Sequence, residues 1–558
     1  MRSRSLGLVG CCLVSLLACG ENSPGQGPQG AGGGAAGAGA AAGAPGAGAG
    51  QPGAGGATGG AGGGPGASGA GTTGGAVACP ASEGLKVARL ETTSIAAMGE
   101  PFDSDDDDVT PWGWDTNYGK PPEIIALPDG EHVDVLWQDH SGDVGGNDDD
   151  PNKNAKKAFV VRIEKGAAGY AVTRAYQIDQ MARVMGLAKD EAGNYYVATG
   201  VDEDADLTPT APAEGEHRPG IVKIVKFDVN GCKSLEIDAS GARAQADAES
   251  EPIINPMVAA TSRLAYHGGQ LAILHGINTG YDAGVDARHQ KALTTHFDAT
   301  TGAVSRTDSM WVSHSFDQRL FWDGTGFVEL HLGDAYPRAI ALGRFNAGDE
   351  GTATYELFKP KGETGDNNTF TRLGGIAPIA TGDMGYVVVF TTERGTETAE
   401  RLNGTRDVAF LRVARGFADM DEDGSAFVDG AATQNVMVGD DAVTNKLTWL
   451  TDYASDSAQA DRPRVAAIGG DQFVVLWERW TGSSDQNAEF GGTHGLVLGG
   501  DGMVKVMPKL VTERHLLRSD DVVTLGTSAL LVTADGAAKK LTLNLISADL
   551  SVQVVEIP

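Results

Sequence analysis

Four residues combine types and spacing that could do chemistry: His314 and Asp317, then His331 and Asp334. They flank a hairpin that turns near Gly324-Thr325-Gly326. Antiparallel pairing would bring the two ends of that segment to one corner. Two imidazoles with two carboxylates can hold a transition metal or serve as an acid–base pair. A polar network that only fixes a tight corner is the competing account. Tyr336 and Arg338 follow at once and extend the corner towards a binding surface.

A second cluster is Asp419-Met420-Asp421-Glu422-Asp423-Gly424. Alternate aspartates followed by glycine suit Ca²⁺, a hard cation that takes six to eight oxygens. The spacing resembles the start of an EF-hand loop, but the twelfth position is Gly430 where a bidentate Glu is needed. Ca²⁺ at Asp419, Asp421 and Asp423 is therefore weighed against a solvated acidic turn. Looser acidity at Asp103, 105–108, Asp139, Asp143 and 148–150 defines no ligand spacing. Gly-x-Ser-x-Gly, H-E-x-x-H and phosphate-loop motifs do not occur. Aromatic residues offer a different chemistry, stacking on sugars or anchoring a protein partner. Trp112, Trp114, Tyr118 and Trp480 are the candidates. Trp137 and Trp477 end equivalent strands and read as packing.

The elements that must position these residues recur about seven times. An apolar strand enters a Gly- or Asp-containing turn, a second apolar strand follows, and then a second hairpin. Ile124–Asp129 leading to Val133–Trp137 and Val465–Gly470 leading to Phe473–Trp477 show it best. A repeating four-strand unit predicts an all-β chain folded as one β-propeller of seven four-stranded antiparallel blades. Units are expected at 121–178, 184–237, 262–312, 317–358, 373–428, 462–511 and 520–557. Leu85–Ile95 could add a further strand, and two stacked β-sandwiches are the rival architecture. Long polar B–C loops and D–A connections make the face that carries them the expected working face.

The N-terminus reads as an address. Arg2 and Arg4 precede an apolar stretch, Leu6–Leu17, that is shorter than the roughly 20 residues a bilayer span needs. It ends in Leu16-Leu17-Ala18-Cys19, which resembles the lipobox of bacterial lipoproteins. That resemblance implies signal removal at residues 1–18, lipid on Cys19, and anchoring at the outer membrane of a diderm bacterium. From Cys19 to residue 78 the chain is mostly Gly and Ala, which cannot bury enough apolar surface to order itself. A coil of that length spans roughly 40–45 Å. Residues 79–558 form the propeller domain. Two cysteines remain there, Cys79 and Cys232, and an oxidising compartment permits a disulfide between them.

The formal charge of −31 repels nucleic acid and anionic surfaces. As a whole the chain resembles uncharacterised secreted bacterial lipoproteins with propeller-like repeats. WD, kelch and Asp-box signatures are absent, so no catalytic residue comes with the resemblance. The expectation is a lipid-anchored envelope propeller that binds a glycan or protein partner without catalysis. A metal-assisted hydrolase or lyase acting on an extracellular polymer at the His314–Asp334 corner is one alternative. A scaffold subunit of an envelope complex is the other.

Overall fold

The computed structural model describes residues 79–104, 122–141, 156–181, 183–201, 220–240, 255–257, 261–282, 287–313, 317–333, 340–346, 353–358, 371–381, 385–393, 405–417, 447–453, 457–482 and 487–558. The chain divides into two units, Met1–Val77 and Ala78–Pro558, and all the described residues belong to the second. They form seven antiparallel sheets of consecutive strands, each a blade with strands A to D from the inside outwards. The A strands are Ile124–Asp129, Arg183–Lys189, Arg263–His267, Asp317–Trp322, Arg372–Pro378, Ala458–Ala467 and Val523–Leu525. One 3-10 turn, Ile95–Ala97, is the longest helical element among the described residues.

The B strands explain why this sequence folds this way. Val133–Trp137, Tyr386–Phe390 and Phe473–Trp477 are almost continuously apolar because both faces of each blade are buried. Period-2 alternation then sends successive side chains into different cores. Val135 and Trp137 join one cluster, and Leu136 joins the next. Each of the seven apolar clusters lies between two successive blades, the last joining blade 7 to blade 1. The ring is therefore closed by packing. The tight turn at Gly268 and Gly269, both at positive φ, suits the glycines found there.

Polar staples cross some of these interfaces. Asp134 in blade 1 is fully buried, and it accepts hydrogen bonds from Tyr195 Oη of blade 2 (2.7 Å) and Arg162 Nη1 (2.9 Å). Blade 4 repeats the device towards blade 5: Asp323 takes Arg344 Nη2 at 2.6 Å and the hydroxyl of Tyr386. Burial, with the adjacent carboxylate, pushes both tyrosine hydroxyls far above their usual range.

Among the described residues no strand is shared between the N- and C-terminal blades. An N-terminal clasp does that work instead. Cys79 is disulfide-bonded to Cys232 in the C–D turn of blade 2. Lys86–Leu90 then adds a fifth strand to the outer edge of blade 1, not an eighth blade. Ile95 N–H donates to Pro558 O (2.8 Å), and Ser104 exchanges hydrogen bonds with Ala534 of blade 7. Asp103 accepts the Gly536 amide, while Asp139 of blade 1 accepts the Glu100 amide. Two members of the predicted acidic cluster thus act as turn and seam acceptors.

The expected unit boundaries hold to within a few residues except in blade 5. Its fourth strand is Thr448–Trp449, paired with Ala409 and Phe410, so residues 414–447 connect strands C and D. The expected end of that blade near residue 428 was too early. A two-residue strand has no periodicity to detect.

Candidate functional site: the central pocket

A charged residue followed by an aliphatic one recurs at all seven A strands, just before the strand, at its start or inside it. The pairs are Glu123-Ile124, Arg183-Val184, Arg263-Leu264, Arg319-Leu320, Arg372-Leu373, Arg464-Val465 and Asp521-Val522. Because A strands run innermost, this repeat builds a charged layer at the D–A end of the central channel. Arg263 from blade 3 and Arg319 from blade 4 reach across to blade 7, on the far side of the ring. Arg263 Nε and Nη2 donate to Asp521 Oδ2 and Oδ1 at 2.7 and 3.0 Å. Arg319 Nε lies 3.1 Å from Asp521 Oδ1, and its Nη1 donates to Asp317 Oδ1. Arg464 spends its donors on main-chain carbonyls of Pro463, Leu517, Arg518 and Asp520.

This layer forms the floor of a cavity of about 590 Å³. Its walls are Ile125–Pro128, Leu187–Lys189, Arg263–Tyr266, Arg319–Trp322, Gly374–Pro378, Arg464–Ala467 and Asp521–Thr524. Exposure rises along the A strands towards the A–B turns. Arg263, Leu264, Arg319, Leu320 and Arg464 are buried, whereas Tyr266, Phe321, Trp322, Ala467 and Thr524 are half-buried. The pocket thus opens on the A–B face, opposite the face of the long B–C loops and D–A connections where the working site was expected, and is closed below by the arginine–aspartate layer. A void of about 40 Å³ behind Arg263 is room for about one water. The aromatic side of the mouth is braced from behind: Trp322 stacks on His267 at 4.0 Å and Tyr266 on Tyr196 at 5.6 Å.

Asp521 is the exception to the burial gradient. The ring encloses it, yet 37 % of its side chain remains accessible at the pocket floor. Burial favours its neutral form, but Arg263 and Arg319 outweigh that and hold its pKa below the usual carboxylate value. Next to it, burial and the nearby Glu123 push Asp520 well above that value, although the Glu123 and Ile124 amides both donate to it. Burial first, then Arg319, lowers Arg464 to about 10.

The sequence candidates fare differently. Asp317 pairs with Leu332 and Gln318 with His331, so Asp317 and His331 lie on opposite faces of the blade 4 sheet. His331 is fully buried between blades 3 and 4, with Nε2 3.3 Å from Glu329 Oε2, and Thr294 donates to the same carboxylate oxygen. Asp317 serves the pocket floor instead. These two residues do not converge, because an odd register offset inverts the face. His314, Asp334, Tyr336 and Arg338 lie outside the described residues. So do Trp112, Trp114, Tyr118, the Ca²⁺ candidates Asp419, Asp421 and Asp423, and Cys19. Among the described residues no group of three His, Cys, Asp or Glu side chains could hold a metal ion.

Trp480 is a correction: it is buried, not displayed on a binding face. Its Nε1 donates to Glu478 Oε2 at 2.9 Å, and its ring packs on Phe490. Glu478, fully buried, also takes the Leu516 amide at 2.7 Å and lies 3.2 Å from His515 Nδ1. That carboxylate turns the indole inward. Trp137 and Trp477 are fully buried, as packing requires. Sequence reasoning missed Arg263, Arg464 and Asp521. The repeated charged-aliphatic step at each A strand was the available signal.

No family model matches the chain, and no curated protein matches it. Among solved structures it is similar to a xylan β-1,4-xylosidase from Bacillus halodurans, at 12 % identity and TM-score 0.28, covering 60 % of this chain and 56 % of that one. It is similar to Trypanosoma rangeli sialidase at 8 % identity and TM-score 0.34, covering 72 % and 58 %. The β-propeller domain of the Trilobed protease from Pyrococcus furiosus matches at 10 % identity and TM-score 0.31, covering 78 % and 96 %. The chain spans a little over half the length of the first two. Likenesses this distant carry no residue over and decide nothing about activity; the β-propeller architecture rests on the chain's own seven-sheet ring.

Proposed function

We propose that this chain is a glycan-binding propeller of the cell envelope, with the pocket on the A–B face as its site and no chemistry of its own. The observation that carries the reading is the pocket itself: apolar and aromatic walls, open at one end, with one accessible carboxylate at the floor. A largely apolar concavity with a few convergent polar groups is the general form of a small-ligand site. Half-buried Tyr266, Phe321 and Trp322 favour a sugar ring, whose C–H face stacks on aromatic surface. A protein partner fits less well, since a narrow pocket admits a chain end and not a surface. The disulfide supports export, and lipid on Cys19 with outer-membrane anchoring belongs to the same proposal.

The separation of Asp317 from His331 weakens the hydrolase or lyase alternative. The test is a glycan array probed with the full chain, beside Trp322→Ala. Binding to at least one glycan, weakened roughly tenfold in the variant, is expected if the lost stacking is worth about 1.4 kcal/mol. Cleavage of a bound glycan, or binding indifferent to Trp322, would overturn the reading.

A further inference from the structure

Resting on that reading, we infer that the pocket recognises the uncharged end of a glycan chain, inserted end-on, with its terminal hydroxyls donating to Asp521. Three observations carry this. First, the pocket is blind. Arg263 and Arg319 span the channel to Asp521, so no described passage lets a polymer thread through the ring. A ligand enters by an end or not at all.

Second, the floor offers acceptors more than donors. Three guanidinium groups lie there, which at first suggests an anion site. Arg263 is committed to Asp521 and to the carbonyls of Ser262 and Ser519. Arg464 is committed to four carbonyls. Both are buried, whereas the Asp521 carboxylate is the accessible charged group. An anionic sugar would meet that carboxylate first and be repelled. A hydroxyl finds an acceptor already oriented by two arginines. Arg319 Nη2 is buried without a hydrogen-bond acceptor and could donate to a ligand oxygen.

Third, the mouth is lined by braced aromatics while the floor is polar. A sugar whose flat face stacks near the mouth points its terminal hydroxyls inward.

The experiment uses the full chain and calorimetric titration. The probes are neutral linear hexasaccharides of glucose, xylose, arabinose and mannose, and the glucose and mannose chains with the terminal sugar oxidised at C6 to a uronate. Cyclic hexaglucose, which has no ends, and long polymers at equal sugar mass complete the set. A neutral linear chain should bind at least tenfold more tightly than its uronate-ended form. At equal mass, binding should fall as polymer length grows and ends become dilute. Asp521→Asn should cost at least tenfold in a variant that is still folded, with a lower melting point because Arg263 and Arg319 lose their counter-charge. If that variant fails to fold, Ala265→Phe fills the lumen from a half-exposed position and should give the same loss. Equal or tighter binding of uronate-ended chains would falsify this inference and leave the glycan-binding reading standing. Binding that follows total sugar and not ends would do the same. If no saccharide of either kind binds, the glycan reading itself fails.

Discussion

Individual carboxylates divide here by what surrounds them. Asp323 accepts the Thr325 and Gly326 amides, Arg344 and the Tyr386 hydroxyl. Burial raises its pKa, but these donors, Tyr386 first, bring it below the usual carboxylate range. A depressed folded-state pKa contributes stability above the unfolded value and loses it as pH falls through the folded one. The Asp323 contribution should therefore persist from neutral pH to about 4 and disappear only below that. Tyr386→Phe should cost about 1–3 kcal/mol at pH 7, measured by denaturant midpoint, because it removes a buried donor to a charged acceptor. The difference between variant and parent should shrink in acid; a constant difference down to pH 2 would refute this assignment. Asp521 follows the same sign. Ligand binding that needs its ionised form should be flat from pH 7 to about 4 and weaken below, as a titration at each pH would show.

At the scale of elements, the clasp from Cys79 to Ser104 replaces the shared strand that a ring closed by its own termini would use. It touches blade 2 through the disulfide, blade 1 through the added strand, and blade 7 through Ile95 and Ser104. The two cysteines are 153 residues apart, so the bond constrains a long loop of the unfolded chain. Its loss should cost about 2–5 kcal/mol. Melting with and without reductant, and in Cys79→Ser with Cys232→Ser, should show a matched drop. An unchanged melting point would mean that the strand pairing alone holds the clasp. Ile95 is fully buried in the cluster between blades 1 and 7. Ile95→Ala should cost about 2–5 kcal/mol by denaturant titration, and a cost near zero would show that the seam does not depend on it.

The second unit is a ring whose apolar clusters lie between blades, and the formal charge of the chain is strongly negative. With 74 acidic against 43 basic residues, long-range forces oppose polyanions. The full chain should not be retained on heparin or duplex DNA at about 0.15 M salt, where the Debye length is about 8 Å. Retention there would point to a cationic surface outside the described residues. Binding of a neutral glycan, by contrast, should change little between low and high salt, since no net charge is neutralised.

The all-β ring was legible in the chain because strand periodicity, turn glycines and a recurring four-strand unit are local signals. Leu136 beside Trp137 already tells that both faces of a blade are buried. The starts of blades 4 and 7, near Asp317 and Asp520, could be placed to within a few residues for the same reason. The pairing of Cys79 with Cys232 was legible because they are the only two cysteines after residue 78. What the chain alone could not tell is which polar residues meet. His331 and Asp317 are close in sequence and in one hairpin, yet a one-residue offset puts them on opposite faces of a sheet. Trp480 ends a strand, as an exposed anchor would, yet the buried carboxylate of Glu478 draws it inward. Arg263 and Asp521 are 258 residues apart, and only closure of the ring sets them across one channel. Burial and side-chain direction depend on the neighbouring blade, and a linear sequence does not contain that neighbour.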